Sequence, residues 1–305
     1  MSIFRYRVAG WTVQSPRALP YLEADTDAAE ADAAHPPIAI EFAEVEKLPD
    51  PATLVGPFAI HGPTLVDLQP PGKLRLRIGD GCRITVEGAT SCSSAELHTL
   101  LFGPAFTVLA QQRDRPPLHA SAVSLDGVTI AMAGHSGAGK STLAGALMRR
   151  GGHLLSDDQL VIDPATGQAW PSYPSTKLWA ASATQLDAPT DSAARVKPGF
   201  DKFHVDVTGR FVTEPRPLDA LLILAPTPDL AAPEAQRLSV GEATAALARL
   251  SHYAEIATAT GRAGTVLRHA ASIAMRIPVY RVARSHDFAQ LDQLADLALD
   301  LAARQ

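Results

Sequence analysis

Gly134-His135-Ser136-Gly137-Ala138-Gly139-Lys140-Ser141 fulfils the phosphate-loop pattern G-x-x-x-x-G-K-[ST] at each fixed position. Residue types at that spacing suit a nucleotide polyphosphate. Glycines let successive backbone N–H groups turn inward on the phosphates, and a helix beginning near Ser141 aims the positive end of its dipole at them. Lys140 is placed to reach the β- and γ-phosphates and the Ser141 hydroxyl to ligate Mg²⁺, with Thr142 closing the binding stretch. ATP and Mg²⁺ are therefore the expected cofactors. A second group of chemical interest is the pair Asp157-Asp158. One carboxylate can help to hold Mg²⁺, and the other can take the proton from an attacking hydroxyl.

These residues need elements to position them. Val128–Ala133 is a short, partly β-branched apolar run that ends at Gly134, and Thr142–Arg150 has helical character with basic residues in its last turn. Strand, glycine loop and helix are the setting the motif requires. Leu118–Leu125 reads as an alternating strand joined through Asp126-Gly127 to the strand entering the loop, so the two pair antiparallel. Gly151-Gly152 stops the helix, His153–Ser156 leads as a short strand into Asp157-Asp158, and Leu160–Ile162 continues as strand.

Further along, Pro164 to Pro217 is rich in turns, and its aromatics Trp170, Tyr173 and Trp179 are expected to be packing residues. Leu221–Ala225 reads as a buried strand, Gly241–Leu250 and Thr258–Met275 as helical stretches, Pro278–Val282 as a strand, and Asp287–Ala303 as a C-terminal helix. In that last helix Phe288, Leu291, Leu294, Leu297 and Leu301 recur at three- and four-residue spacing, the pattern of a face packed on a sheet.

The N-terminal third has a different texture. Phe4–Ala9, Ile38–Phe42, Thr64–Leu68, Lys73–Ile78 and Arg83–Glu87 are short strand signals, and the last two make a hairpin around Gly79-Asp80-Gly81. Arg75 and Arg77 fall on its expected solvated face. Glu23–Pro37 is Ala-, Asp- and Glu-rich and reads as a solvated connection. Ser93-Ser94-Ala95-Glu96 carries a capping box ahead of a mostly apolar helix interrupted near Gly103-Pro104. The organisation expected is an α/β phosphate-loop domain over residues 93–305 behind a small antiparallel β-rich accessory module over residues 1–92.

At 305 residues with 46% hydrophobic content, the chain can bury one large or two modest cores. A net charge of −5 supplies no global basic field, so a nucleic-acid partner is not expected. Cys82 and Cys92 alone make neither a disulfide framework nor a four-ligand zinc site. The N-terminus lacks the apolar core of a secretory signal, and no window approaches the ~20 apolar residues of a membrane helix. The expectation is a soluble cytoplasmic protein with no membrane partner.

Three stretches together, Leu118–Val123, Gly134–Thr142 and Arg150–Asp158, resemble the catalytic domain of HPr kinase/phosphorylase, most closely over residues 118–163. More narrowly, Tyr6–Trp11 with Ala18-Leu19-Pro20, and Leu267–Val282, look like the related serine kinases of lasso-peptide biosynthesis, which phosphorylate the C-terminal serine of a precursor peptide. The resemblance implies an HPr-kinase-type fold, with His119 as an active-site histidine and Lys140 and Ser141 on phosphate and Mg²⁺. It further implies Asp158 as the base for the substrate serine, Asp157 supporting it and the metal, and a homo-oligomer. The family's glutamate-arginine-glycine segment has no counterpart between Pro171 and Gly209, which argues against HPr as acceptor and against reverse phosphorolysis. Lys177, Lys202 and Arg210 are unranked substitutes for its charge. The function expected is an ATP-dependent serine kinase acting on a peptide or protein. The alternatives are a kinase for HPr or a small metabolite, and a nucleotide-sensing module that transfers nothing.

Overall fold

Asp126 and Gly127 both take positive φ, 50° and 86°. That is the geometry a two-residue hairpin turn with the strands' own twist requires. In the computed structural model, which describes residues 3–24, 35–49, 53–72, 74–197 and 199–304, this turn joins two adjacent antiparallel strands of a mixed α/β unit. The chain divides into two compact units. One takes the described residues up to Pro117 together with His252–Val266, and the other takes Leu118–Ser251 with Leu267 onward. The division thus falls at Pro117/Leu118 rather than at 92/93.

The first unit is built on an eight-stranded sheet of β1 (Phe4–Val8), β2 (Trp11–Ser15), β3 (Ile38–Phe42), β4 (Thr53–Val55), β5 (Phe58–Gly62), β6 (Leu65–Leu68), β7 (Arg75–Gly79) and β8 (Arg83–Glu87). Their spatial order is β1-β2-β3-β8-β7-β6-β5-β4. The expected β7–β8 hairpin forms, with Arg75 opposite Glu87 and Gly79 opposite Arg83. The sheet is mixed rather than antiparallel throughout, because β3 lies parallel to both β2 and β8.

Arg75 and Arg77 are not a solvated face. Both reach the fully buried Asp67, Arg75 Nη2 at 2.5 Å and Arg77 Nε and Nη2 at 2.7 and 2.9 Å. Burial alone would raise the Asp67 pKa, but the bonds and charges of Arg77 and Arg75 hold it below the ordinary carboxylate value. The interruption expected at Gly103-Pro104 is a kink, with Gly103 at φ −102°, ψ −107°, between helices Ser94–Leu100 and Phe106–Gln112. Of the connection expected over Glu23–Pro37, residues 25–34 lie outside the described residues, as does Lys73.

The second unit carries a six-stranded sheet of β9 (Ala120–Leu125), β10 (Val128–Ala133), β11 (His153–Ser156), β17 (Ala220–Pro226), β18 (Glu234–Arg237) and β19 (Val279–Arg284), in the order β11-β9-β10-β17-β19-β18. Between β11 and β17 lie β12 (Val161–Ile162), β13 (Gln168–Trp170) and β16 (Arg216–Pro217), which form a small sheet, and the antiparallel pair β14 (Ser175–Trp179) and β15 (Lys202–Asp206). Strand alternation sorts the β9 and β10 side chains by size. Val123, Leu125, Ile130 and Met132 enter the core under helices Lys140–Arg149 and Leu291–Ala303, whereas Ala120, Ala122, Ala131 and Ala133 face the core under Val240–Arg249 and Ala263–Arg276. Leu291, Leu294 and Leu301 are buried as their spacing requires, each worth roughly 2 kcal/mol of apolar burial.

Leu160–Ile162 does not continue β11. After a bend at Asp157-Asp158, Leu160 bridges Leu118 just ahead of β9, and Val161–Ile162 pairs with β13.

Candidate active site

Strand β10 runs parallel to β17, and β17 to β19, so their C-terminal ends gather on one side of the sheet. The glycine-rich loop leaves β10 there and enters the helix Lys140–Arg149. Gly139 takes φ +96°, a backbone that other residues adopt only with strain, and a Cβ on it would crowd the end of the Arg284 side chain. Gly151, at φ +100° just beyond the helix, provides the left-handed stop.

Of the loop, Ser136, Gly137, Gly139, Lys140, Ser141 and Thr142 line a cleft. Gly134, His135 and Ala138 do not, but their carbonyls hold side chains that do, Ala138 O holding Arg284. Lys140 Nζ donates to Gly134 O at 2.9 Å and to His135 O at 3.1 Å. Burial lowers the Lys140 pKa, against the opposing pull of the Asp157 and Asp158 charges.

The two aspartates have separated roles. Asp157 is buried, with Oδ1 accepting from Ser121 Oγ at 2.5 Å and Ser141 Oγ at 2.9 Å, and Oδ2 from Thr176 Oγ1 at 2.7 Å and the Lys177 amide at 2.8 Å. Four donors fill the accepting capacity of a carboxylate. Asp158 takes φ +72°, a left-handed conformation that Asp tolerates better than most side chains, and it lines the cleft from which Asp157 is withheld.

Asp158 is held on both sides. Lys177 Nζ donates to Oδ2 at 2.8 Å, and His119 Nε2 stands 3.3 Å from Oδ1. Burial would lower the Lys177 pKa, but the facing Asp158 charge carries it well above its ordinary value. Beneath it, burial pushes the Tyr173 hydroxyl up to about 12, so at neutral pH the phenol is un-ionised and the ammonium charged.

The loop, both aspartates and His119 therefore come together. Of the three basic residues considered as charge substitutes, Lys177 and Lys202 line the cleft, whereas Arg210 caps the end of the helix through Met148 O at 2.6 Å. Trp179 is not a packing residue. It is 43% exposed at the cleft, 6.1 Å centroid to centroid from Phe200.

Sequence reasoning missed Ser121 and Thr176, which join Ser141 as side-chain partners of Asp157, and also Arg284 at the end of β19. Only the strand alternation of Ser121, two residues from His119, could have hinted at the first. Thr176 and Arg284 arrive from about 20 and 130 residues away, with no motif to mark them.

No family model matches this chain, and no curated protein does. Among solved structures, the HPr(Ser) kinase/phosphatase from Coxiella burnetii is similar over 62% of this chain and 99% of its own, at 14% identity and a TM-score of 0.32. A likeness that loose carries no part of the functional argument. What stands on this chain's own residues is a mixed α/β unit whose cleft sets Lys140, Lys177, Lys202 and Arg284 around a single carboxylate, Asp158. Among the described residues no helix is long and apolar enough to cross a membrane.

Proposed function

We propose that this chain transfers the γ-phosphoryl group of ATP to a serine hydroxyl of a peptide or protein. The C-terminal serine of a lasso-peptide precursor is the acceptor favoured by the sequence resemblance. The observation that carries this reading is Asp158 standing in the same cleft as Lys140 and Ser141, fixed by Lys177 and His119. A surface carboxylate has no need of two side chains to aim it, and a base must be aimed.

The acceptor hydroxyl gives its proton to Asp158 as its oxygen attacks the γ-phosphorus, and the bond to the ADP oxygen breaks. The loop N–H groups and Lys140 stabilise the charge on the phosphoryl oxygens, Lys140 exchanging its carbonyl partners for phosphate. His119 and Lys177 keep Asp158 directed at the hydroxyl.

The donor set also fits a hard divalent cation at the Ser141 hydroxyl, oriented by Asp157 behind it. Mg²⁺ bound there supplies neutralisation of phosphate charge. Because both Asp157 oxygens are already occupied, its support acts through Ser141 or through water. In this reading the working form is a cytoplasmic homo-oligomer, which sedimentation of the purified chain checks.

Intact mass of serine-ending peptides incubated with the protein, ATP and Mg²⁺ tests the proposal, with Asp158→Asn as control. One added phosphate that the control lacks is the expected result. ATP binding without transfer to any peptide moves the reading to a metabolite kinase or a sensor.

A further inference from the structure

Arg284 ends β19, its backbone tied to β17 by the register Pro226–Arg284 and by Thr227 N donating to Arg284 O at 2.8 Å. This anchoring sends the side chain across the strand ends to the glycine loop, where Nη1 donates to Ala138 O at 3.1 Å. The residue is 7% exposed, and Nε has no partner among the described residues. Among the described residues no carboxylate forms an ion pair with it. Asp158, the one carboxylate of the cleft, is already engaged by Lys177 and His119.

A buried guanidinium without an anion is a standing cost to the fold, because its desolvation is not offset by any opposite charge. Burial accordingly lowers the Arg284 pKa, with no other cause acting on it. Such a charge is kept where a ligand completes it. The guanidinium also lies against Gly139, at the N-terminal end of the helix, where the loop's own N–H groups receive an anion.

We propose that Arg284 is a phosphate-binding residue of this cleft, contributed from outside the glycine motif, that grips the polyphosphate of the nucleotide beside the glycine loop. This rests on the nucleotide reading of the loop. It makes the polyphosphate site a two-part device: the loop amides and Lys140 come from one end of β10, and a rigid fork comes from β19 two strands away. The arginine is in place before the ligand arrives and neutralises phosphate charge without a partner protein.

The test compares wild type with Arg284→Gln and Arg284→Met. Binding of ATP and of inorganic tripolyphosphate is measured by calorimetry, and melting is followed with and without each ligand. Arg284→Gln keeps a neutral hydrogen-bonding group on a shorter stem, and Arg284→Met keeps the apolar stem alone. The expected result is a loss of roughly 10- to 100-fold in affinity for both ligands. The ligand-free proteins should melt no lower than wild type, since an uncompensated charge has been removed, and the ligand-induced rise in melting temperature should shrink. Unchanged affinity in the folded variants overturns the proposal, as does a lowered ligand-free melting temperature with an undiminished ligand-induced shift, which is the signature of a purely structural arginine. If wild type binds tripolyphosphate but not ATP, the nucleotide reading fails while the arginine assignment is still decided by the variants. If wild type binds neither, both fail.

Discussion

Lys177 Nζ lies 2.8 Å from Asp158 Oδ2, the lysine buried and the carboxylate open to the cleft. Nothing in their sequence separation announces the pair. It forms because β14 passes beside the bend after β11, where Asp157 takes the Lys177 amide and Asp158 takes its side chain.

If Lys177 aims the base, Lys177→Met should lower the turnover number by about 10- to 100-fold while changing ATP affinity little, because the lysine fixes Asp158 rather than the phosphates. Lys177→Arg should recover only part, since a planar fork cannot reproduce a point donor in a packed site. Steady-state kinetics with a serine peptide read both. A rise in KM for ATP with unchanged turnover would assign Lys177 to phosphate binding instead.

Asp157→Asn leaves the shape intact but replaces an acceptor with an N–H₂ facing donors. A cost of about 2 kcal/mol in stability is expected from the buried mismatch. The stronger signature should be a higher Mg²⁺ concentration for half-maximal transfer, because Ser141 loses the oxygen that orients it. A Mg²⁺ titration of the transfer rate separates this from simple loss of fold.

Gly139→Ala should destabilise the ligand-free chain by about 1–2 kcal/mol through the positive φ alone. The 2.3 Å approach of the new Cβ to Arg284 Nη1 adds to this. Adding Arg284→Ala should relieve the clash but not the dihedral, so the double variant is expected to recover only part of the lost stability. A double-mutant cycle in denaturant measures the coupling.

The first unit has its own pH signature. Asp67 has a folded pKa below the unfolded value of 3.8, so its pairing contributes fully above that value and is lost as pH falls through the folded pKa. Unfolding by urea at pH 7 and pH 3 should show this loss. Asp67→Asn should be about 3 kcal/mol less stable at pH 7, from two arginines left unpaired, and should lack that part of the acid dependence.

Local chemistry was legible in the sequence wherever neighbours in the chain are also neighbours in space. The turn at Asp126-Gly127, the loop from Gly134 to Ser141, the stop at Gly151 and the apolar stripe of the last helix each depend on residues a few positions apart, so spacing alone specified them. The mixed character of the first sheet was not legible, because parallel partners such as β3 and β8 meet only after long excursions of the chain. The turn-rich stretch after Pro164 concealed the β14–β15 pair for the same reason: 22 residues separate its strands, and β14 is buried on both faces, so alternation never appears. The sequence by itself determined the phosphate-loop motif and the adjacent Asp157-Asp158 pair. Tertiary structure alone decided which aspartate faces the cleft, because a left-handed turn at Asp158 and four converging donors on Asp157 are products of packing. It alone also brought Thr176, Lys177 and Arg284 to the site, since their register on β14 and β19 exists only once the sheets have formed.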